Sequence, residues 1–141
     1  MALATSFKEL RVWQNAMDLT MRIFELTRSF PREEKYGLAD QIRRSSRSVP
    51  ANVAEGWRKR RYVAAFVSKL NDAEAEAAET QTHIEVARRS GYWDDATAAD
   101  LDRRCEEVLG QLVHMIEDAG HWCLPTLPRR GQTGAKNDIV S

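Results

Sequence analysis

The sequence predicts an all-α fold, an antiparallel up-down four-helix bundle, on three observations. Apolar residues recur over long segments at alternating spacings of three and four. Gly and Pro are few, with Pro31, Gly91 and the cluster from Pro125 onward falling between those segments, and no stretch of strand length alternates with period two. The 141 residues suit one domain of ordinary size, with 43% hydrophobic and 30% charged residues. We take residues 7–123 as the bundle, 1–6 as a lead, and 124–141 as a disordered or loosely attached tail, because Pro, Gly, Lys and Asn there follow no apolar period.

The first helix is expected over residues 7–29. Val12, Ala16, Leu19, Ile23, Leu26 and Phe30 fall on one line of a helical projection and form a heptad-like seam. Leu10, Trp13, Met17, Met21 and Phe24 form a second apolar line beside it. Either the two are one wide core stripe, or the second line is an interface with another copy of the chain.

The second helix is expected over residues 34–56, with Leu38, Ile42, Ser45, Val49 and Val53 on its inner face. Pro50 lacks a backbone N–H and disfavours helical geometry at Val49, which predicts a kink or a fresh start capped by Ser48. The third, over 61–90, carries Val63, Phe66, Leu70, Ala73, Ala77, Thr80, Ile84 and Ala87 at unbroken spacing, with an alanine-rich centre that permits close approach. Gly91 closes it, and Asp94 or Asp95 caps a fourth helix over 94–121, whose seam runs Ala98, Leu101, Cys105, Val108, Leu112, Met115, Ala119 and Trp122.

The 21 basic and 21 acidic residues cancel, which argues against a chain that holds nucleic acid by bulk positive charge. The distribution is nevertheless polar. Residues 41–62 hold seven cations (Arg43, Arg44, Arg47, Arg58, Lys59, Arg60, Arg61) and one acid, Glu55, for a net +6, whereas residues 69–107 carry a net −6. Forked arginines suit phosphate, and Trp57 and Tyr62 flank the second basic run as base-stacking platforms. The alternative is that these arginines pair with the acidic face of the third helix.

Two cysteines, Cys105 and Cys123, make no disulfide framework, so a reducing cytoplasm is the expected compartment; no apolar run is long enough to span a membrane. Phosphate-loop, dinucleotide, zinc-protease and nucleophile-elbow motifs are missing. The paired Glu-x-x-His of di-iron bundles fails too, since Thr80, Gln111 and Asp118 stand three residues before His83, His114 and His121. We therefore expect no enzyme, no cofactor and no metal.

The run Phe7-Lys8-Glu9-Leu10-x-Val12-Trp13, then Phe30-Pro31, then Gln41-Ile42-Arg43-Arg44, then Ser48-Val49-Pro50-Ala51-Asn52-Val53-Ala54-Glu55-Gly56 resembles the four helix bundle protein family, also called the 23S rRNA intervening-sequence protein family. The likeness continues through Phe66, Leu70, Ala73, Glu79-Thr80 and Gly91-Tyr92, and departs at Ala75-Glu76, where the family often has Gly-Ser. The resemblance implies a homopentamer with a central channel. It is similar also to the accessory variability determinant (Avd) of diversity-generating retroelements, whose pentamer binds a reverse transcriptase and nucleic acid through basic surfaces.

The expected function is thus a non-enzymatic oligomeric scaffold that binds RNA or DNA through Arg43, Arg44, Arg47, Arg58, Lys59, Arg60 and Arg61, with a reverse transcriptase as a further partner. Leu10, Trp13, Met17, Met21 and Phe24 are its expected oligomer interface. The alternative is a protein-protein interaction bundle without a nucleic-acid role. Pro50, Asn52, Glu55 and Gly56 are read as structural, with Asn52 satisfying backbone freed by Pro50 and Glu55 pairing with Arg43 or Arg44.

Overall fold

In a computed structural model of the chain, which describes residues 4–124, four long helices account for most of the fold: α1 (Arg11–Thr27), α2 (Leu38–Arg58), α3 (Val63–Arg89) and α4 (Asp95–Glu117), followed by a short α5 (Ala119–Trp122). The described residues contain no strand. Helix α2 packs on α1 and α3, and α4 packs on α3 and α1, so the four enclose one interior.

The predicted seams are the buried surfaces. Val12, Ala16, Leu19 and Ile23 of α1, Leu38, Ile42, Val49 and Val53 of α2, and Ala98, Leu101, Cys105, Val108, Leu112 and Met115 of α4 are all buried. On α3 the seam holds from Phe66 to Ala87, but Val63, the first residue of the helix, is half exposed. Helix α3 ends as Gly91 predicts. At φ +78° this glycine lets its own N–H reach the Arg88 carbonyl at 3.0 Å and the Tyr92 N–H reach the Ala87 carbonyl at 2.9 Å. Asp94 caps α4, its side chain accepting from the Thr97 N–H at 2.8 Å.

Two expectations about the start of the chain are corrected. Residues 7–10 do not begin α1: Phe7–Glu9 form a separate 3-10 turn capped by Ser6, and Leu10 is the extended residue before α1 (φ −71°, ψ 130°). A helical projection therefore does not apply to Leu10, and its side chain lies in the core, 4% exposed, not on an outer interface. The same turn brings the Phe7 ring edge-on to Trp13 at 5.4 Å, so Trp13 is half-buried. Of the tail reading, only Leu124 falls within the described residues; its N–H donates to the Arg60 carbonyl at 2.9 Å.

The expected break at Pro50 is absent, and α2 runs unbroken from Leu38 to Arg58. Pro50 has no N–H for the carbonyl of Ser46, four residues back. That carbonyl accepts instead, at 3.0 Å, from the buried Thr20 hydroxyl of α1, whose one proton is shared with the Ala16 carbonyl of its own helix at 2.9 Å. Asn52, expected in this role, donates to the Ser48 carbonyl at 2.9 Å.

Thr20 and Ser46 belong to a buried layer with Ser45 and Thr80, whose hydroxyls meet at 2.8 Å between α2 and α3. The layer lies between two apolar clusters, one around Phe66, Leu70 and Leu112, the other around Ile23, Ile42 and Leu101. Thr20→Val keeps the shape and removes the donor, so an unfolding titration should read a loss of about 1–3 kcal/mol for the orphaned carbonyl. In a Pro50→Ala background the restored N–H should absorb most of that loss, giving a coupling that a double-mutant cycle measures.

Gly56 lets α2 and α3 approach. A Cβ there would stand 3.3 Å from Lys69 Cβ and 3.4 Å from Leu70 Cδ2. Across this contact, Lys69 Nζ sits 3.1 Å from a Glu55 carboxylate oxygen, which corrects the expected pairing of Glu55 with Arg43 or Arg44.

Candidate nucleic-acid interface

Helix α2 and the turn after it position the seven cations. Arg44, Arg47 and Arg58 lie within about 60° of one another in a helical projection and span about 21 Å of axis, since each residue turns the helix by about 100° and advances it by about 1.5 Å. All three are exposed, as are Lys59 at the end of α2 and Arg61 in the turn.

The other two cations are held by the fold. Arg43 is half-buried; its Nε donates to the Thr27 hydroxyl at 2.7 Å and its guanidinium lies 4.8 Å from the Phe24 ring centroid. Arg60 lies 3.4 Å over the Trp57 ring and donates through Nε to the Trp57 carbonyl at 2.8 Å. Burial holds the Arg60 pKa below its ordinary value. Trp57 is itself buried in the core, which corrects its reading as a base-stacking platform; Tyr62 remains 65% exposed.

Electrostatically, the two halves of the surface differ in how their cations are used. Among the described residues none of the seven cations lies within ion-pairing distance of a carboxylate, so the alternative of pairing with α3 inside the subunit does not hold. On α3 and α4 the arginines are committed. Glu85 accepts from both Arg88 and Arg89, which pulls its carboxyl down to about 2, and Asp100 accepts from Arg103 and Arg104. Glu55, the one acid of the basic segment, faces Lys69, and the Glu55 hydrogen bond raises the Lys69 pKa. What remains on α2 is a row of uncompensated positive charge suited to a polyanion.

The sequence reading missed a groove of about 520 Å³ between α1 and α2, lined by Met21, Phe24, Lys35, Tyr36, Arg43 and Arg47. Lys35 and Tyr36 escaped because they fall in the turn before α2 and belong to no periodic pattern; their adjacency ahead of Gly37 was the one available signal. A second groove of about 470 Å³ lies between Leu10–Val12 and Gly110–Met115, and has no such cluster of cations.

Burial pushes the Cys105 thiol up to about 12, which keeps it protonated at neutral pH. Among the described residues no group of three His, Cys, Asp or Glu side chains could hold a metal ion; His121 is bonded to Asp118. No helix among them is long and apolar enough to cross a membrane.

Comparison with known proteins agrees with the motif-based resemblance. The family model of the 23S rRNA-intervening sequence proteins matches residues 8–114. In three dimensions the chain is similar to a crystal structure from Bacteroides thetaiotaomicron VPI-5482, described as a protein with unknown function from the S23 ribosomal protein family. The TM-score is 0.67 at 25% identity, over 75% of this chain and 98% of that one. Neither description names a reaction. No curated protein matches the chain.

Proposed function

We propose, from the premise that this chain belongs to the 23S rRNA-intervening sequence protein family, that it is a non-enzymatic oligomeric scaffold binding RNA or DNA through α2. The observation that carries the reading is that the α2 cations have no carboxylate partner among the described residues, while those of α3 and α4 do. Fluorescence anisotropy with labelled single-stranded RNA and DNA of mixed sequence is the test. On this reading affinity falls steeply between about 50 mM and about 200 mM salt, with a log-log slope of about −0.7 for each phosphate engaged on a single strand. Absent or salt-insensitive binding would overturn it and favour a protein-protein interaction bundle.

The subunit of this scaffold is an antiparallel up-down bundle. The pairing of Ser45 with Thr80 and of Glu55 with Lys69 favours opposite courses for α2 and α3, and the short connections favour the same for each successive pair. Five such subunits form the homopentamer that the family resemblance implies, and a ring multiplies weak phosphate contacts without new chemistry. The likeness to Avd extends the proposal to a reverse transcriptase as partner.

Of the expected interface residues, Leu10 is spent in the core and Phe24, at 37% exposure, already carries the Arg28 and Arg43 guanidiniums on its ring, which leaves Trp13, Met17 and the half-exposed Met21 as the contact. Met17→Glu should yield a smaller species by light scattering with its helicity intact by circular dichroism. An unchanged mass would move the interface off α1.

A further inference from the structure

We propose that the groove between α1 and α2 is a site for single-stranded nucleic acid, an unpaired base lying on Tyr36 and its flanking phosphates on Lys35, Arg43 and Arg47; this rests on the nucleic-acid reading above. Tyr36 is the observation that starts the argument. It is 85% exposed, it belongs to neither apolar cluster, and its hydroxyl has no hydrogen-bond partner among the described residues. Its one neighbour of consequence is the Lys35 ammonium, 5.5 Å from the ring centroid. An aromatic ring left in water beside a cation suits a partner with both a π-face and a negative charge, and a nucleotide has both.

The arginines are prepared for phosphate. Arg43 is fixed by the buried Thr27 hydroxyl and by the Phe24 ring, and both contacts leave its terminal Nη groups without a hydrogen-bond partner among the described residues. Arg47 is likewise anchored through Nε, to the Arg43 carbonyl at 3.1 Å. Two forks held by their inner nitrogens lose little freedom when an anion arrives. Asp40, the one carboxylate lining the groove, ion-pairs with none of the three cations among the described residues, and the lining keeps a net positive charge.

The same arrangement selects single strands. A base inside a duplex is stacked on both faces, and the A-form major groove is too deep and narrow for side chains to read, so a duplex meets only the cations. Tyr36 adds affinity only where a base is free to stack. Charge disfavours a second copy seated with its own cationic groove against this one; a copy presenting a different face, as in a ring, is the outcome that assembly mass tests.

The test compares the full-length protein with Tyr36→Ala and Tyr36→Phe, using a single-stranded RNA, a single-stranded DNA and a duplex of each. Tyr36→Ala should weaken single-strand binding about ten-fold and leave duplex binding unchanged, as expected for the loss of one stacked base. Tyr36→Phe should bind as the parent does. The side chain is outside the core, and circular dichroism checks that all three proteins stay helical.

Equal single-strand affinity for the parent and Tyr36→Ala would overturn the groove, while salt-sensitive binding lost on reversing Arg58 and Arg61 would leave the α2 reading standing. Equal losses for single strands and duplexes would overturn it too, because stacking would not be the cause. A fall in assembly mass at unchanged affinity would make the groove a contact between copies. No binding by the parent to any of the four nucleic acids would end the α2 reading and the groove together.

Discussion

Arg58→Glu combined with Arg61→Glu is expected to weaken RNA and DNA binding about 100-fold at low salt and to flatten the salt dependence, because two phosphate contacts become two repulsions. Both side chains are exposed and neither has a carboxylate partner among the described residues, so reversal leaves no orphaned acid behind. Arg60 is left out because its place over Trp57 ties it to the core. The control is Arg89→Glu. Arg89 is exposed and basic but is held at 2.8 Å by Glu85, so its reversal should change nucleic-acid affinity little. Anisotropy titrations of both variants against the parent decide the matter. A control loss of about half the logarithmic size, matching its charge change of about −2 against about −4, would mean that net charge, and not the α2 row, governs binding.

Phe66→Ala should have the largest effect on stability. Phe66 is fully buried and is the largest fully buried side chain, lying where α3 comes close to Gly56 of α2. Its removal costs the transfer of the ring and leaves a cavity, about 3–5 kcal/mol. Against a typical total of about 5–15 kcal/mol, that brings the fold near its limit. Urea titration at matched protein concentration measures it, since assembly adds its own stabilisation. A loss below about 1 kcal/mol would mean that the surrounding helices close over the space, which cores seldom achieve.

Much of the fold was legible because burial repeats with the helix. Phe66, Leu70, Ala73, Ala77, Thr80, Ile84 and Ala87 are a buried line that spacing alone picks out. What spacing missed depends on contacts between elements. Leu10 left its projected face because a 3-10 turn precedes α1, and Pro50 did not break α2 because a hydroxyl on α1 serves its orphaned carbonyl. Glu55 found Lys69, not an arginine of its own helix, because Gly56 brings α3 near.

The candidate site divided along the same line. The basic row is local in sequence and was visible; that Arg60 would be absorbed by Trp57, or that Tyr36 would stand beside Arg43 and Arg47, depends on how turns fold back.

The hydroxyl layer across the middle of the bundle carries a consequence for the surface. Sliding α2 along α1 or α3 by one turn, about 5.4 Å, would set Ser45 and Ser46 against apolar side chains and strand the Ser46 carbonyl. Purely apolar seams of Leu, Ile and Ala tolerate such a slip far better. The layer therefore works as an index mark that fixes the height of each helix against its neighbours. Arg44, Arg47 and Arg58 inherit that setting, so their spacing is the same in every molecule, and identical molecules can present a charge pattern in phase with one another.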